Sequence, residues 1–241
     1  MGANNKRIGL STLIVFIVVL TFLWSRYQGL ILGQERGSAG FAENHGETTA
    51  ITCEGELSLS TVRIDSDHYE VWDGCLMLDH RGNDGDSFHI QAAHGREEIR
   101  LYYVDAPESA ARVYRDGNTN YQRIAQQGVA LGGLNRAETT RVGMEAKAFV
   151  KQLLDGKRFN VVTREERVYS SHRKYAFVIV DWRGQLHYLH ELLVLQGLGR
   201  IHTKPARLPD NTSTSDQKKH LNRLQAYAKT MRSGAWGLLA K

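Results

Sequence analysis

The chain has 241 residues, of which 41% are hydrophobic and 24% are charged. This length suffices for one well-buried domain with additional segments, and it excludes two large domains. Lysine and arginine outnumber aspartate and glutamate by 31 to 26, a formal charge of +5 that suits a polyanionic partner or an anionic membrane surface. So small an excess does not by itself indicate nucleic-acid binding, because many basic domains bind none.

An apolar segment near the N-terminus predicts membrane insertion. Residues 8–24 contain no charged side chain, and Lys6-Arg7 stand directly before them. The length lies at the lower end for a spanning helix, so a cleaved signal peptide stays an alternative. We expect retention, because no close small-x-small cleavage site follows Trp24. Residues 1–27 are therefore predicted to form a signal anchor that exports the rest of the chain, and cleavage would instead give a secreted or periplasmic protein.

Residues 28–68 are predicted to form a linker and N-terminal extension, because residues 33–49 are rich in glycine, glutamate and alanine and show no periodicity. Cys53 and Cys75 are the only cysteines, an even number in a segment predicted to lie in an oxidising compartment. One disulfide is favoured over two free thiols. The spacing of the pair fits no common zinc pattern.

Residues 69–241 are predicted to form a folded domain, because they contain strand-like runs and helices with apolar periodicity. Five strand-like runs are predicted at residues 71–79, 87–93, 98–104, 158–164 and 175–181. Three helices are predicted at residues 142–155, 186–196 and 216–233, each followed by glycine. This order indicates an α+β fold, a five-stranded Greek-key β-barrel of the OB type flanked by three helices and preceded by the one N-terminal transmembrane helix.

Carboxylates and an arginine near the ends of two predicted strands suggest a site that binds a cation and a phosphate. Asp84-Gly85-Asp86 stands before the second strand, and Arg100 is followed by Asp105 and then Glu108. Asp-Gly-Asp alone would indicate a turn. Asp86 and Asp105 can converge on one cation, however, and oxygen ligands favour Ca²⁺ or Mg²⁺. With Arg100 and Glu108 they supply what phosphodiester cleavage needs, namely a Lewis-acid site, charge neutralisation and a group that activates water.

Five segments extend this pattern: DGDSFHI, EIRLYYVDAPES, VGMEAKAFVKQLL, RKYAFVIVD and ELLVLQGLGRI. In this order they resemble the staphylococcal nuclease (thermonuclease) family over roughly residues 70–238. The resemblance implies a Ca²⁺ ion held by Asp86, Asp105 and the backbone carbonyl of Ala106. It also implies that Arg100 and a later arginine bind the scissile phosphate and that Glu108 is the general base.

The later arginine needs argument, because the family has a Tyr-Gly-Arg triplet before a strand where this chain has Ser171-His172-Arg173-Lys174-Tyr175. Arg173 falls in register with that strand, and Lys174 is the neighbouring alternative. A planar guanidinium suits the paired oxygens of a phosphate better than a point charge does, so Arg173 is assigned the catalytic role. Lys174, Tyr175 and Lys204 are candidates for substrate binding.

Two other departures from the family pattern concern substrate contacts. Residues 200–205 lack the tyrosines that family members place near the nucleotide base, so base stacking is either weaker or relocated. Residues 110–141 form a long insertion in place of a much shorter loop. Its side chains Arg112, Tyr114, Arg115 and Tyr121 either cover the cleft or belong to an inert surface elaboration.

The histidines do not indicate a zinc enzyme. His187 and His190-Glu191 lack the His-Glu-x-x-His arrangement, so they are interpreted as solvated or core-edge residues.

The predicted function is a calcium-dependent nuclease that cleaves DNA, RNA or both outside the cytoplasm by attack of water. The alternative is a non-catalytic nucleic-acid-binding module on the same OB fold, and a third hypothesis is an adhesion or envelope-structural domain. The presence of Arg100, Glu108 and both aspartates favours the enzyme. Nucleic acid and the membrane are the expected partners. No protein partner is implied, and a monomer is expected.

Overall fold

A computed structural model describes residues 58–65, 67–169 and 171–239. The strands are β1 (Glu70–Met77), β2 (Ser87–Ala92), β3 (Gly95–Leu101), β4 (Val104–Asp105), β5 (Arg158–Arg167), β6 (Lys174–Trp182), β7 (Gln185–Tyr188) and β8 (Arg200–Ile201). The helices are α1 (Tyr121–Ala130), α2 (Arg136–Leu154), α3 (Leu189–Leu195), α4 (Thr214–Thr230) and α5 (Ala235–Leu238).

The main sheet closes into a barrel. Its strand order is β3-β2-β1-β5-β6-β7, and β3 also pairs with β6. The β3–β6 pairing is parallel, with Ile99 opposite Lys174 and Leu101 opposite Ala176. Strands β1, β2, β3, β6 and β5 therefore form a closed ring, with β7 added outside it. The predicted five-stranded barrel of the OB type with flanking helices is confirmed.

Helix α2 begins earlier than its apolar periodicity predicts. The side chain of Asn135 accepts a hydrogen bond from the backbone of Glu138, whose carboxylate accepts one from the backbone of Asn135. This capping box adds a turn and a half before the apolar positions. Those positions, Val142, Ala146 and Val150, are fully buried and hold α2 against the barrel core.

Three local predictions differ from the structure. The predicted helix at 186–196 is instead strand β7 followed by α3, because residues 185–188 pair with the end of β6. His190, the second residue of α3, lies in the core, where it is 1% exposed, rather than at the core edge. Helices α1 and α5 are absent from the prediction, since α1 is short, contains Gly128 and has no side-chain N-cap, and α5 is one turn long.

Two predictions concern residues outside the described part of the chain. The apolar segment 8–24 lies there, and none of the helices in the described ranges combines the length and hydropathy needed to cross a bilayer. Cys53 also lies outside the described residues. Cys75 is buried in β1, and its thiol lies 3.3 Å from the carbonyl oxygen of Trp72, to which it donates. The Cys53–Cys75 disulfide stays a prediction.

Candidate active site

Two buried aspartates meet where β2 begins and β4 ends. Asp86 precedes β2 and Asp105 is the last residue of β4, and they are 4% and 1% exposed. Nη2 of Arg100, which stands near the end of β3, lies 3.2 Å from Oδ2 of Asp86 and 2.7 Å from Oδ1 of Asp105. One guanidinium nitrogen therefore joins the two carboxylates that the sequence pattern places together.

Two glycines allow α2 to approach this region closely. A Cβ atom at Gly85 would lie 2.8 Å from the Cβ atoms of Ala106 and Ala146, and one at Gly143 would lie 2.5 Å from the carbonyl oxygen of Glu108. Side-chain atoms essentially never approach so closely, so neither position has room for a larger residue. The backbone that carries Glu108 is thereby pressed against α2.

The inserted helix α1 contributes two side chains to the site. Nη2 of Arg123 lies 2.7 Å from Oδ1 of Asp105, and its Nε lies 2.7 Å from Oε1 of Glu108. Nε2 of Gln127 donates to Oδ2 of Asp105 at 2.9 Å and to the carbonyl oxygen of Ala106 at 3.1 Å. Residues four apart share one face of a helix, so α1 presents both side chains together.

The insertion therefore reaches the site through residues that the sequence analysis missed. Its four candidate side chains, Arg112, Tyr114, Arg115 and Tyr121, are not among the cleft-lining residues. Tyr121 instead lies under the guanidinium of Arg136, 4.4 Å from its ring centroid. The i, i+4 spacing of an arginine and a glutamine in a polar helix was the available signal.

A further arginine comes from β8, which pairs antiparallel with β4 so that Arg200 lies opposite Asp105. Its Nε donates to Oδ2 of Asp105 at 2.8 Å. Burial alone would raise the pKa of Asp105, but Arg123, the hydrogen bond from Gln127, Arg200 and Arg100 outweigh it and lower that pKa. Asp105 therefore stays ionised as the anionic centre of an arginine cluster.

Arg173 and Arg100 meet at one hydroxyl group. Nη1 of Arg173 lies 3.5 Å from Oγ of Ser87, and Nη1 of Arg100 lies 3.2 Å from the same oxygen. Lys174 points elsewhere, because its ammonium pairs with Glu97 at 3.0 Å and Glu165 at 2.9 Å. The geometry places Arg173, and not Lys174, beside Arg100.

These residues open onto a cleft of about 480 Å³. Its lining includes five basic side chains, Arg100, Arg123, Arg167, Arg173 and Lys204, with Asp105 as the acidic one. Two tyrosines also line it. The ring of Tyr175 stacks on Tyr102 at a centroid distance of 5.2 Å, whereas Tyr169 is 91% exposed. Lys204 forms an ion pair with Glu166 at the cleft margin.

Glu108 lies beside the cluster with both carboxylate oxygens engaged. Oε1 accepts from Arg123, and Oε2 accepts from Nδ2 of Asn120 at 3.1 Å. Asp84 is a further carboxyl group near Asp86 and Glu108. Burial, then Asp86, raise the pKa of Asp84 to about 7.

The predicted calcium ligands suit a hard cation, because they are oxygen atoms and lie close together. Nη2 of Arg100 touches an oxygen of both aspartates, and Nε2 of Gln127 touches oxygens of both Asp105 and Ala106. Two carboxylates and a carbonyl within such short spans are ligands that Ca²⁺ accepts. No cluster of three or more His, Cys, Asp or Glu side chains is arranged for a metal within the described ranges.

Comparison with models of known protein families gives a match over the C-terminal part of the chain. Residues 98–237 match the family model described as staphylococcal nuclease homologue, which is more than half of the 241-residue chain. The matched region includes Arg100, Asp105, Glu108 and Arg173, whereas Asp86 precedes it. No curated protein matches the chain.

Proposed function

The chain belongs to the staphylococcal nuclease homologues, and on this basis we propose that it is a phosphodiester hydrolase that cleaves nucleic acid. The observation that carries the proposal is the cleft that Arg100, Arg123 and Arg173 line together with Asp105. A cleft with five basic side chains attracts a polyanion, and guanidinium groups bind the paired oxygens of a phosphate.

Arg100 and Arg173 are placed to bind the reacting phosphate. Both reach the hydroxyl of Ser87, so their guanidinium groups lie close together at the cleft. Arg100 is held by Asp86 and Asp105 on its other side, which fixes its orientation before substrate arrives. Donors oriented in advance stabilise charge that grows on the phosphate oxygens in the transition state.

Glu108 is the group that would take a proton from the attacking water. Its carboxylate must first exchange the hydrogen bond from Arg123 or from Asn120 for one from water. Asp86, Asp105 and the carbonyl of Ala106 are the residues that would hold a calcium ion. A bound calcium ion would supply a Lewis acid at the phosphate.

The proposal also covers the class of substrate and the location of the enzyme. The exposed ring of Tyr169 gives the cleft an aromatic surface on which a base can stack without sequence preference, whereas the ring of Tyr175 is buried against Tyr102. Either DNA or RNA satisfies this chemistry. The apolar segment 8–24 supports a membrane-anchored enzyme whose catalytic domain lies outside the cytoplasm, for which retention in the membrane fraction after a carbonate wash is the test.

The purified full chain should cleave single- or double-stranded nucleic acid when Ca²⁺ is supplied and lose this activity in a calcium chelator. Glu108→Gln serves as the matched inactive control, because it preserves the shape of the side chain. Absence of cleavage for DNA and RNA alike, in either strand form and at every calcium concentration, would contradict the hydrolase proposal.

A second candidate, the non-catalytic binding module, is favoured by one observation. Both oxygens of Glu108 already accept hydrogen bonds from Arg123 and Asn120, an arrangement that also suits a purely structural carboxylate. The same assay separates the two functions, since a binding module retains nucleic acid without cutting it.

A further inference from the structure

The inserted helix α1 places a side-chain cation on the oxygen atoms that a divalent ion would bind. We propose that Arg123 is a built-in competitor of the divalent cation, so that the insertion sets how tightly the site binds calcium. The importance of this competition for catalysis rests on the proposed nuclease function. The competition itself concerns only the cation and the side chains around it.

Hydrogen bonds from α1 already occupy the oxygen atoms of two of the three implied calcium ligands, Asp105 and Ala106. Oδ1 of Asp105 receives Nη2 of Arg123 at 2.7 Å, while Oδ2 of Asp105 and the carbonyl oxygen of Ala106 receive Nε2 of Gln127 at 2.9 and 3.1 Å. A cation that binds these oxygens must take them from Arg123 and Gln127. These two groups come from α1, and the cation must also share the oxygens of Asp105 with Arg100 and Arg200 from the strands.

Arg123 differs from the other arginines on Asp105 in how it is held. The side chains of Arg100 and Arg200 are 10% and 12% exposed and stand on strands, whereas that of Arg123 is 43% exposed. Arg123 therefore approaches Asp105 from the solvent side and can withdraw without disturbing the barrel. Since a divalent ion on the same carboxylate would lie within a few ångströms of this guanidinium, the two like charges repel each other.

Calcium titrations of the purified full chain by isothermal calorimetry test the proposal. Arg123→Gln keeps a polar side chain but removes the charge, and we expect it to tighten calcium binding at least about tenfold. Arg123→Lys keeps the charge, so its affinity should stay within about threefold of the parent. Arg115→Gln is the matched control, since Arg115 is an exposed arginine of the same insertion, and it should bind calcium like the parent.

Arg123→Met provides a second uncharged variant that keeps the apolar stem, and thermal melting establishes that each variant is folded. The proposal is overturned if the folded Gln and Met variants bind calcium no more tightly than the parent, or if Arg123→Lys tightens binding as much as they do. Nuclease assays of the parent distinguish failure of the competition proposal from failure of the nuclease proposal. If the parent cleaves nucleic acid but the uncharged variants bind calcium no more tightly, the competition proposal is wrong and the nuclease proposal stands. If those variants bind calcium more tightly but the parent cleaves no nucleic acid, only the nuclease proposal is wrong.

Discussion

The barrel and the insertion contribute to the site in opposite ways. The barrel supplies Arg100 near the end of β3 and Asp86 just before β2, and the adjoining strand β4 supplies Asp105; these residues are 8%, 4% and 1% exposed. The insertion supplies Arg123, whose side chain is 43% exposed, in the first turn of helix α1. Groups fixed in the barrel define where a phosphate and a cation can bind, and a group on a separate helix can adjust that binding without altering the frame.

The physical reason is the difference in how each part is positioned. Ser87 pairs with Arg100 across β2 and β3, and Asp105 pairs with Arg200 across β4 and β8. Ladder hydrogen bonds fix these registers, because a one-residue slip would turn every side chain to the other face. Helix α1 is held through a few buried residues, chiefly Ile124, Gln127 and Gly128.

The largest expected effect is that of Glu108→Gln, at the point where barrel and insertion meet. The substitution removes proton acceptance and keeps the shape, so turnover should fall by roughly two to four orders of magnitude. Nucleic-acid binding should persist, as measured by a filter or fluorescence assay. Glu145→Gln, on an exposed carboxylate of α2, is the matched control and should leave turnover unchanged.

Glu108 also anchors Arg123, and the same variant separates these two roles. If turnover stays near normal while calcium affinity rises, Glu108 acts by holding the inserted arginine, and its assignment as general base is wrong.

Arg100→Lys should give the next largest effect on turnover, and it tests directly how the barrel differs from the insertion. Lysine keeps the charge but loses the fork that spans Asp86, Asp105 and Ser87, so turnover should fall about 10²- to 10³-fold. The same exchange at Arg123, in the insertion, should change turnover by less than about tenfold. Steady-state kinetics on one substrate measures both, and equal losses would remove the distinction between fixed and adjustable arginines.

Sequence reasoning was most reliable for the barrel. The order of strands and the positions of Asp86, Arg100 and Asp105 follow from short alternating runs with acidic residues at their ends, a pattern with strong local signals. Helix α1 escaped prediction because it is only ten residues long, contains Gly128 and has no side-chain N-cap to mark its start. The contact of Arg200 with Asp105 escaped because it depends on the pairing of two strands of two residues each, far apart in sequence.

Gly143→Ala tests the packing beneath the site and should have a smaller effect. The added methyl group would meet the carbonyl oxygen of Glu108 at 2.5 Å, so the backbone must shift and unfolding should become easier by about 1–3 kcal/mol. Turnover should fall with it, because Glu108 moves. Met144→Ala, at the next and exposed position of α2, is the control in urea denaturation. Unchanged stability and turnover would show that α2 does not press on this backbone.

The remaining prediction concerns stability in acid and involves no change at the cleft. His190 stacks on Tyr103, which lies between β3 and β4, with ring centroids 5.5 Å apart, and its Nε2 lies 3.1 Å from Nε2 of Gln217. Burial lowers the pKa of His190 to about 4, and the opposing effect of Glu191 does not offset it.

Because the pKa of His190 is lower in the folded state than in the unfolded chain, the unfolded chain binds the extra proton between about pH 6.5 and pH 4. Stability should therefore fall as the pH drops through this window, by about 2 kcal/mol between pH 7 and pH 5. Urea denaturation at several pH values measures the slope, which His190→Gln should flatten and His202→Gln, on an exposed imidazole, should not. If the slope persists in His190→Gln, other groups carry the acid sensitivity. If it flattens, the interface between the barrel and α3 is what acid weakens, while the ionised Asp105 still binds the arginine of the insertion.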